Sequence, residues 1–133
     1  MTATERAVEL ATEAALAAAD KLATDVLAID VSEQLVITDV FLLAAAPNDR
    51  QVRAIVEAIE ERLLKNGVKP VRREGEREGR WVLLDFGDLV VHVQHAEERE
   101  YYALERLWRD CPAIELPEEV RRRPADAAGV PER

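Results

Sequence analysis

The sequence has a single cysteine, Cys111, among its 133 residues. One cysteine excludes an internal disulfide and a cysteine-rich zinc site. With no histidine close to it in the sequence, Cys111 is also unsupported as a catalytic thiol. This cysteine usage fits a reducing compartment, so we expect a cytoplasmic protein.

Long apolar runs are also missing. The alanine-rich start carries Glu5, Glu9, Glu13 and Asp20, which argues against a signal peptide and a membrane span. We therefore expect no membrane partner. The hydrophobic share of 48% and the charged share of 34% are typical of a globular protein, and 133 residues suit one domain with a real core.

Basic residues are fewer than acidic ones, with 18 Lys and Arg against 27 Asp and Glu, and the net charge is −9. A protein that binds nucleic acid through its phosphates needs a Lys/Arg surface to displace counterions. We therefore expect no specific nucleic-acid partner. The acidic balance is compatible with a basic protein partner.

Patterns that indicate catalysis or metal binding are scarce. His92 and His95 point to opposite faces of a predicted strand, so they are poorly placed to chelate one metal ion. Asp25, Asp30 and Asp39 flank the first predicted strands, but they are spread out and lack the Gly-Ser turn that nucleotidyl transfer requires. The residues therefore predict no catalytic site, no metal site and no cofactor.

Three segments show helical periodicity. The first begins with a capping box at Thr2 and runs to about Leu22. The second begins with a capping box at Asn48 and ends before Gly67. Its apolar positions are Val52, Ile55, Val56, Ile59 and Leu63. The third is predicted over 97–109, with Tyr101, Leu104, Leu107 and Trp108 facing inward.

Between these helices, short apolar runs predict strands. Residues 26–31 and 37–44 are typical of strands buried on both faces, and 68–71 predicts a further short strand. The charged, Gly-containing segment 72–80 predicts an exposed loop. This order of elements indicates an α/β fold with a mixed β-sheet and flanking helices.

Residues 80–94 predict a β-hairpin with Gly87 and Asp88 as its turn. One face of that hairpin is apolar and should be core. It consists of Val82, Leu84, Phe86, Leu89, Val91 and Val93. The other face consists of Trp81, Leu83, Asp85, Val90, His92 and Gln94. This mixed composition is typical of a protein contact surface with Trp81 as its anchor. The alternative is that helices cover both faces and bury Trp81.

The composition changes after Pro112, where prolines and the triplet 121–123 of arginines appear. Such a segment cannot form a core by itself. We therefore predict a single α/β domain over residues 1–112 and a flexible C-terminal tail over 113–133.

Several of these segments resemble the bacterial ribosomal silencing factor S family, also called the Iojap-like proteins. The matching segments are ITDVF at 37–41, RQVRAI at 50–55, EG at 74–75, WVLLDFGDLVVHV at 81–93 and EREYYALERLW at 98–108. The last two in tandem are highly specific. The resemblance covers roughly residues 7–110.

The resemblance implies a nucleotidyltransferase-like fold without its active site, and hence a protein that is not an enzyme. Such proteins bind a small basic β-barrel protein of the large ribosomal subunit, the fourteenth of the large-subunit series. They thereby block joining of the small subunit, repress translation when nutrients are scarce, and are connected with late large-subunit assembly. The resemblance also implies a homodimer in the free state.

Together, the hairpin and the resemblance predict a set of partner-binding residues. They are Trp81, Leu83, Asp85, Asp88, Glu74 and His92. The competing hypothesis is a nucleotidyltransferase-like enzyme that keeps a residual metal or nucleotide site.

Overall fold

A computed structural model describes residues 3–102 and 108–121 of the chain. The elements are α1 Glu5–Asp20, β1 Thr24–Asp30, β2 Val40–Ala46, α2 Asp49–Lys65, β3 Arg72–Glu74, β4 Trp81–Asp85, β5 Leu89–His95, α3 Ala96–Tyr102, β6 Ala113–Ile114 and α4 Glu118–Arg121. The strands form one six-stranded sheet in the order β3-β4-β5-β2-β1-β6. Strands β2 and β5 pair in parallel, whereas β4 and β5 pair antiparallel. The predicted α/β class with a mixed sheet and flanking helices is confirmed.

The first helix begins and ends at different residues from those predicted. Its N-cap is Thr4, whose Oγ1 accepts a hydrogen bond from the backbone N–H of Ala7 at 3.1 Å. The predicted capping box at Thr2 is therefore wrong, and Thr2 itself lies outside the described residues. The helix ends at Asp20, and Leu22 follows with a φ of 62°, which no residue of a right-handed helix adopts.

The second helix confirms its predicted pattern. Asn48 caps α2 by accepting the backbone N–H of Gln51 at 2.8 Å. The five apolar positions predicted to face inward are all buried. The side chain of Gln51 does not return to the cap. Its amide donates to the carbonyl oxygens of Lys21 and Leu22, so it ties the end of α1 to the start of α2.

The main core lies between one face of the sheet and helices α1 and α2. The apolar face of the hairpin belongs to this core, with Leu84 and Val91 fully buried and Phe86 only 7% exposed. The predicted register is also confirmed, because Trp81 pairs with Gln94 and Asp85 with Val90. Gly87 adopts a φ of 93° at the turn, a conformation that glycine takes without steric cost.

Two strand predictions are wrong. Strand β2 begins at Val40 instead of residue 37, and Ile37 is 81% exposed in the preceding loop. Residues 68–71 form no strand. Instead β3 takes the first three residues of the predicted charged loop and pairs with β4. Its side chains are all exposed, and a strand at the edge of a sheet tolerates such charges.

The predicted tail is corrected over residues 113–121. Ala113 and Ile114 pair with β1, and the backbone N–H of Asp30 donates to the carbonyl of Pro112 at 2.8 Å. Leu116 and Val120 are each only 6% exposed and join the main core. Residues 113–121 are therefore part of the fold, and residues 122–133 lie outside the described range.

The predicted third helix is described in part. Helix α3 spans Ala96–Tyr102, while 103–107, with the predicted inward positions Leu104 and Leu107, lie outside the described residues. The side chain of Tyr101 is likewise not described. Trp108 lies in a turn and packs against the sheet face opposite α1 and α2.

Candidate protein-binding site

The sheet face opposite α1 and α2, here called the outer face, carries a smaller apolar cluster. Its buried members are Ile29, Val31 and Leu43. Its partly exposed members are Leu27, Leu35, Phe41, Trp81, Trp108 and Cys111. On the hairpin, the outer face is the predicted mixed face. It therefore holds most of the expected partner-binding residues.

The outer face of the hairpin divides between its two strands. On β4, Trp81, Leu83 and Asp85 are all partly exposed. On β5, His92 is 7% exposed and Gln94 is fully buried. These three residues of β4 are thus accessible in part, and that they contact a partner stays a prediction. On β5, burial instead matches the alternative of a covered face, because the His92 ring packs against Phe41 on β2 and Trp81 on β4.

The indole of Trp81 is held in place by His92. Its Nε1–H donates to His92 Nδ1 at 3.1 Å. His92 in turn meets Phe41 edge-on with ring centroids 5.0 Å apart, and Phe41 meets Trp108 at 5.2 Å. These four rings form a continuous row across β4, β5 and β2. Such edge-to-face contacts are a favourable arrangement of aromatic pairs, so the row fixes the orientation of Trp81.

His92 lies beneath this surface and does not form part of it. Burial lowers the pKa of His92 from 6.5 to about 4, so the imidazole is neutral near pH 7. Because Nδ1 accepts from Trp81, the proton sits on Nε2. Within residues 3–102 and 108–121, neither Nε2 nor the side-chain amide of Gln94 has a hydrogen-bond partner. His92 is thus positioned to support Trp81 from below.

The turn between β3 and β4 also positions Trp81. Gly75 has a φ of +83°, and a Cβ at this position would overlap the carbonyl oxygen of Trp81. Only glycine therefore fits this close approach. Glu74 precedes it, pairs with Leu83 across the strands, and has an exposed side chain. The sequence pattern does not single out Gly75, although the Glu-Gly pair belongs to the family resemblance.

Two of the expected acidic residues already have partners within the fold. Arg72 lies 3.3 Å from the carboxylate of Glu74 and 3.7 Å from that of Asp85. Asp85 also accepts the backbone N–H of Gly87 at 2.9 Å and so stabilises the turn. Asp88, at the tip of that turn, is exposed. Although Glu74 is paired with Arg72, it and Asp88 are more exposed than Asp85.

Two long segments of the chain near the site contain acidic residues but no basic ones. Residues 22–49 and 81–98 contain no lysine or arginine. The first stretch includes β1, β2 and their connection, and the second includes the hairpin and the start of α3. These strands contribute acidic residues without basic ones, whereas β3 adds Arg72, which lies 3.7 Å from the carboxylate of Asp85.

A separate cleft of about 530 Å³ lies at the start of α2. Its lining residues are Asn48, Asp49, Arg50, Arg80 and His95. Arg80 is engaged there by the carboxylates of Glu97 and Glu98, each at 2.9 Å. Among the described residues, no three His, Cys, Asp or Glu side chains come together as a metal-ligand set. No helix in the same part of the chain is long and apolar enough to span a membrane.

Comparison with known proteins gives one consistent family. The family model for "ribosomal silencing factor during starvation" matches residues 4–132. The chain is 46% identical to a ribosomal silencing factor of Bacillus subtilis over 77% of this chain and 87% of that protein. It is 34% identical to the mouse protein "mitochondrial assembly of ribosomal large subunit protein 1", over 65% of this chain and 39% of that protein. A crystal structure of a protein from Chromobacterium violaceum is similar with a TM-score of 0.73 and 35% identity, covering 75% of this chain and 83% of that one.

Proposed function

We propose that this protein represses translation by binding the large ribosomal subunit. The reason is that the chain belongs to the ribosomal silencing factor family. The proposed contact is the small basic β-barrel protein that is fourteenth in the large-subunit series. A bound copy excludes the small subunit sterically, so no bond is made or broken. The name of the mouse relative supports a further role in late assembly of the large subunit.

The observation that carries this proposal is the partly exposed row of Trp81 and Leu83 on β4, beside the buried outer face of β5. Trp is the residue type that most often dominates interface energetics when it fills a pocket on the partner. The hydrogen bond to His92 orients the indole before any partner arrives. Less side-chain freedom is then lost on binding, which favours affinity.

Charge supports the same partner. The stretches 22–49 and 81–98 contain no lysine or arginine, and Asp88 and Glu74 are exposed. A ribosomal protein surrounded by rRNA presents basic side chains, so opposite charges steer the encounter. Repulsion from RNA phosphates disfavours other docking positions on the subunit. In this arrangement His92 acts through Trp81, whereas Leu83, Asp85, Asp88 and Glu74 face the partner.

Replacing Trp81 with alanine tests the contact. Loss of such an anchor typically costs roughly 30- to 1,000-fold in affinity, so Trp81→Ala should no longer co-sediment with large subunits at micromolar concentration. The variant also leaves His92 Nδ1 buried without its donor, which should lower stability by about 1–3 kcal/mol. A melting curve on the same sample establishes that the protein is folded.

Leu64→Ala is the matched control, because Leu64 is 52% exposed on α2, away from the outer face. This variant should co-sediment as the parent does. A folded Trp81→Ala protein that still co-sediments would remove Trp81 from the contact. If Trp81→Ala is unfolded, Trp81 belongs to the core, and Leu83→Ala then decides whether β4 touches the partner.

The competing enzyme hypothesis has its own measurement. A nucleotide or Mg²⁺ ion that binds the folded protein raises its melting temperature. We expect no such rise, because the proposed protein acts without cofactor or catalysis. The proposal further includes a cytoplasmic location. It also includes a homodimer in the free state, and size-exclusion chromatography without ribosomes would reveal that dimer.

A further inference from the structure

The loop between β1 and β2 presents two adjacent aliphatic side chains to solvent. Val36 is 100% exposed and Ile37 is 81% exposed. A single exposed aliphatic residue is ordinary on a protein surface. Here two β-branched residues occur in succession at the tip of one loop, where they contribute nothing to either apolar cluster.

This loop is tied closely at its base. The backbone N–H groups of Gln34 and Leu35 both donate to the carbonyl of Val31 at 2.9 Å, and the N–H of Val31 donates to the carbonyl of Asp39 at 2.9 Å. Leu35 packs against the outer-face cluster. The tip is therefore held in one place by its flanks, and little conformational freedom remains to be lost on binding.

The same loop is joined to the turn of the hairpin. Thr38 Oγ1 donates to the carbonyl of Gly87 at 3.2 Å, and the N–H of Asp39 donates to the carbonyl of Asp88 at 3.0 Å. The exposed pair thus lies next in sequence to residues that contact the hairpin turn. It belongs to the same end of the sheet as Asp88.

The charge near the tip favours one kind of partner. Glu33 and Asp88 are exposed, Asp39 is partly exposed, and the whole stretch 22–49 lacks lysine and arginine. RNA phosphates would be repelled by such a rim. A protein surface with an apolar depression surrounded by Lys and Arg matches both the aliphatic tip and its acidic rim.

We propose that Val36 and Ile37 form a second anchor that inserts into an apolar depression on the basic ribosomal protein, with Glu33, Asp39 and Asp88 meeting basic side chains around it. This inference rests on the proposed function, because it extends the contact of Trp81 to a second loop. The contact then spans the outer face of β4 and the β1–β2 loop, so two anchors from different parts of the chain fix the orientation of the bound protein.

The test is the double variant Val36→Ser with Ile37→Ser, measured for binding to purified large ribosomal subunits at low and high salt. Burial of two aliphatic side chains predicts a loss of about 10- to 100-fold in affinity. This loss should be similar at both salt concentrations, because it is not electrostatic. The variant Asp88→Lys should instead lose affinity mainly at low salt, where charges are screened least.

Leu64→Ser is the matched control, because Leu64 is another aliphatic residue that is 52% exposed but lies on α2, away from the outer face. It should bind as the parent does. A double variant that binds as the parent, while Trp81→Ala does not, overturns the second anchor and leaves the proposed function intact. If the parent protein itself does not bind large subunits, the proposed function fails.

The melting temperature of the double variant completes the test. Both side chains are exposed, so the parent value is expected. If the double variant fails to fold, the pair also contributes to the fold, and the single variant then decides the inference. The single variant Val36→Ser, at the fully exposed position, must then also lose binding while remaining folded for the proposal to stand.

Discussion

The two faces of β5 are both buried, yet they are built from different kinds of residues. On the inner face, Val91 and Val93 are fully buried among apolar side chains of α1 and α2. On the outer face, His92 and Gln94 are buried instead, and His92 reaches across to Trp81 on the neighbouring strand. Burial alone therefore does not separate core from site. The outer face differs by its polar groups, which are buried beside partly exposed aromatic residues and lower stability where they lack hydrogen-bond partners within the described residues.

The sharpest test of the two faces compares neighbouring leucines. Leu84 is fully buried on the inner face, so Leu84→Ala should lower the free energy of unfolding by about 2–5 kcal/mol. Leu83 is one residue away, on the partly exposed outer face. Leu83→Ala should lower the free energy of unfolding by less than about 1 kcal/mol. Urea unfolding of both variants measures the difference.

Binding should show the opposite order. Leu83→Ala should weaken co-sedimentation with large subunits, whereas folded Leu84→Ala protein should bind as the parent does. A large stability loss at Leu83 with little at Leu84 would mean that the inner and outer faces are reversed.

The next largest expected effect is a pH dependence of folding stability that arises from His92 on the outer face. The pKa of His92 is about 4 in the folded protein, against 6.5 for an ordinary histidine. Between these values the unfolded chain binds a proton that the folded protein does not, so stability is complete above pH 6.5 and falls as the pH decreases toward 4. The loss over this range should be about 3 kcal/mol.

His92→Gln should flatten that dependence, because glutamine does not titrate and its side-chain oxygen can still accept the Trp81 N–H. Unfolding by urea at several pH values between 4 and 7 compares the variant with the parent. Equal slopes for the two proteins would show that other groups cause the acid sensitivity.

The smallest effect concerns the acidic residues near the hairpin. Joint reversal of Glu74, Asp85 and Asp88 is predicted to slow association with the large subunit and to weaken its dependence on salt. Because Asp85 also accepts the N–H of Gly87, the cleaner variant changes Glu74 and Asp88 alone to lysine. Stopped-flow association rates at two salt concentrations measure the change. Rates equal to those of the parent would show that both carboxylates are merely solvated.

The hairpin and α2 could be predicted because their patterns are local. Alternation over 81–93 assigned each residue to its correct face, and the spacing of Val52 through Leu63 identified the buried side of α2. A two-residue turn that contains Gly87 then determined which residues of the two strands pair. In each case the deciding information lies within a short segment of the chain.

The features that were not predicted from the sequence depend on contacts between distant segments of the chain. Ala113 and Ile114 pair over only two residues with β1, and no periodicity can arise over such a length. Leu116 and Val120 lie among prolines and charges, so their burial depends on a core made elsewhere. The burial of His92 was not predictable either, because the strand pattern cannot show that Phe41 and Trp81 from the neighbouring strands pack against its ring.

The position of β6 in the sequence determines when the sheet is completed during synthesis. Residues 112–120 provide the neighbour of β1 at the sheet edge and two side chains of the main core. Domains fold as units while synthesis proceeds from the N-terminus. The edge of β1 therefore stays open to other strands until residues 112–120 have left the ribosome. A protein proposed to restrain ribosomes thus completes its own sheet only after residues 112–120 have been synthesised.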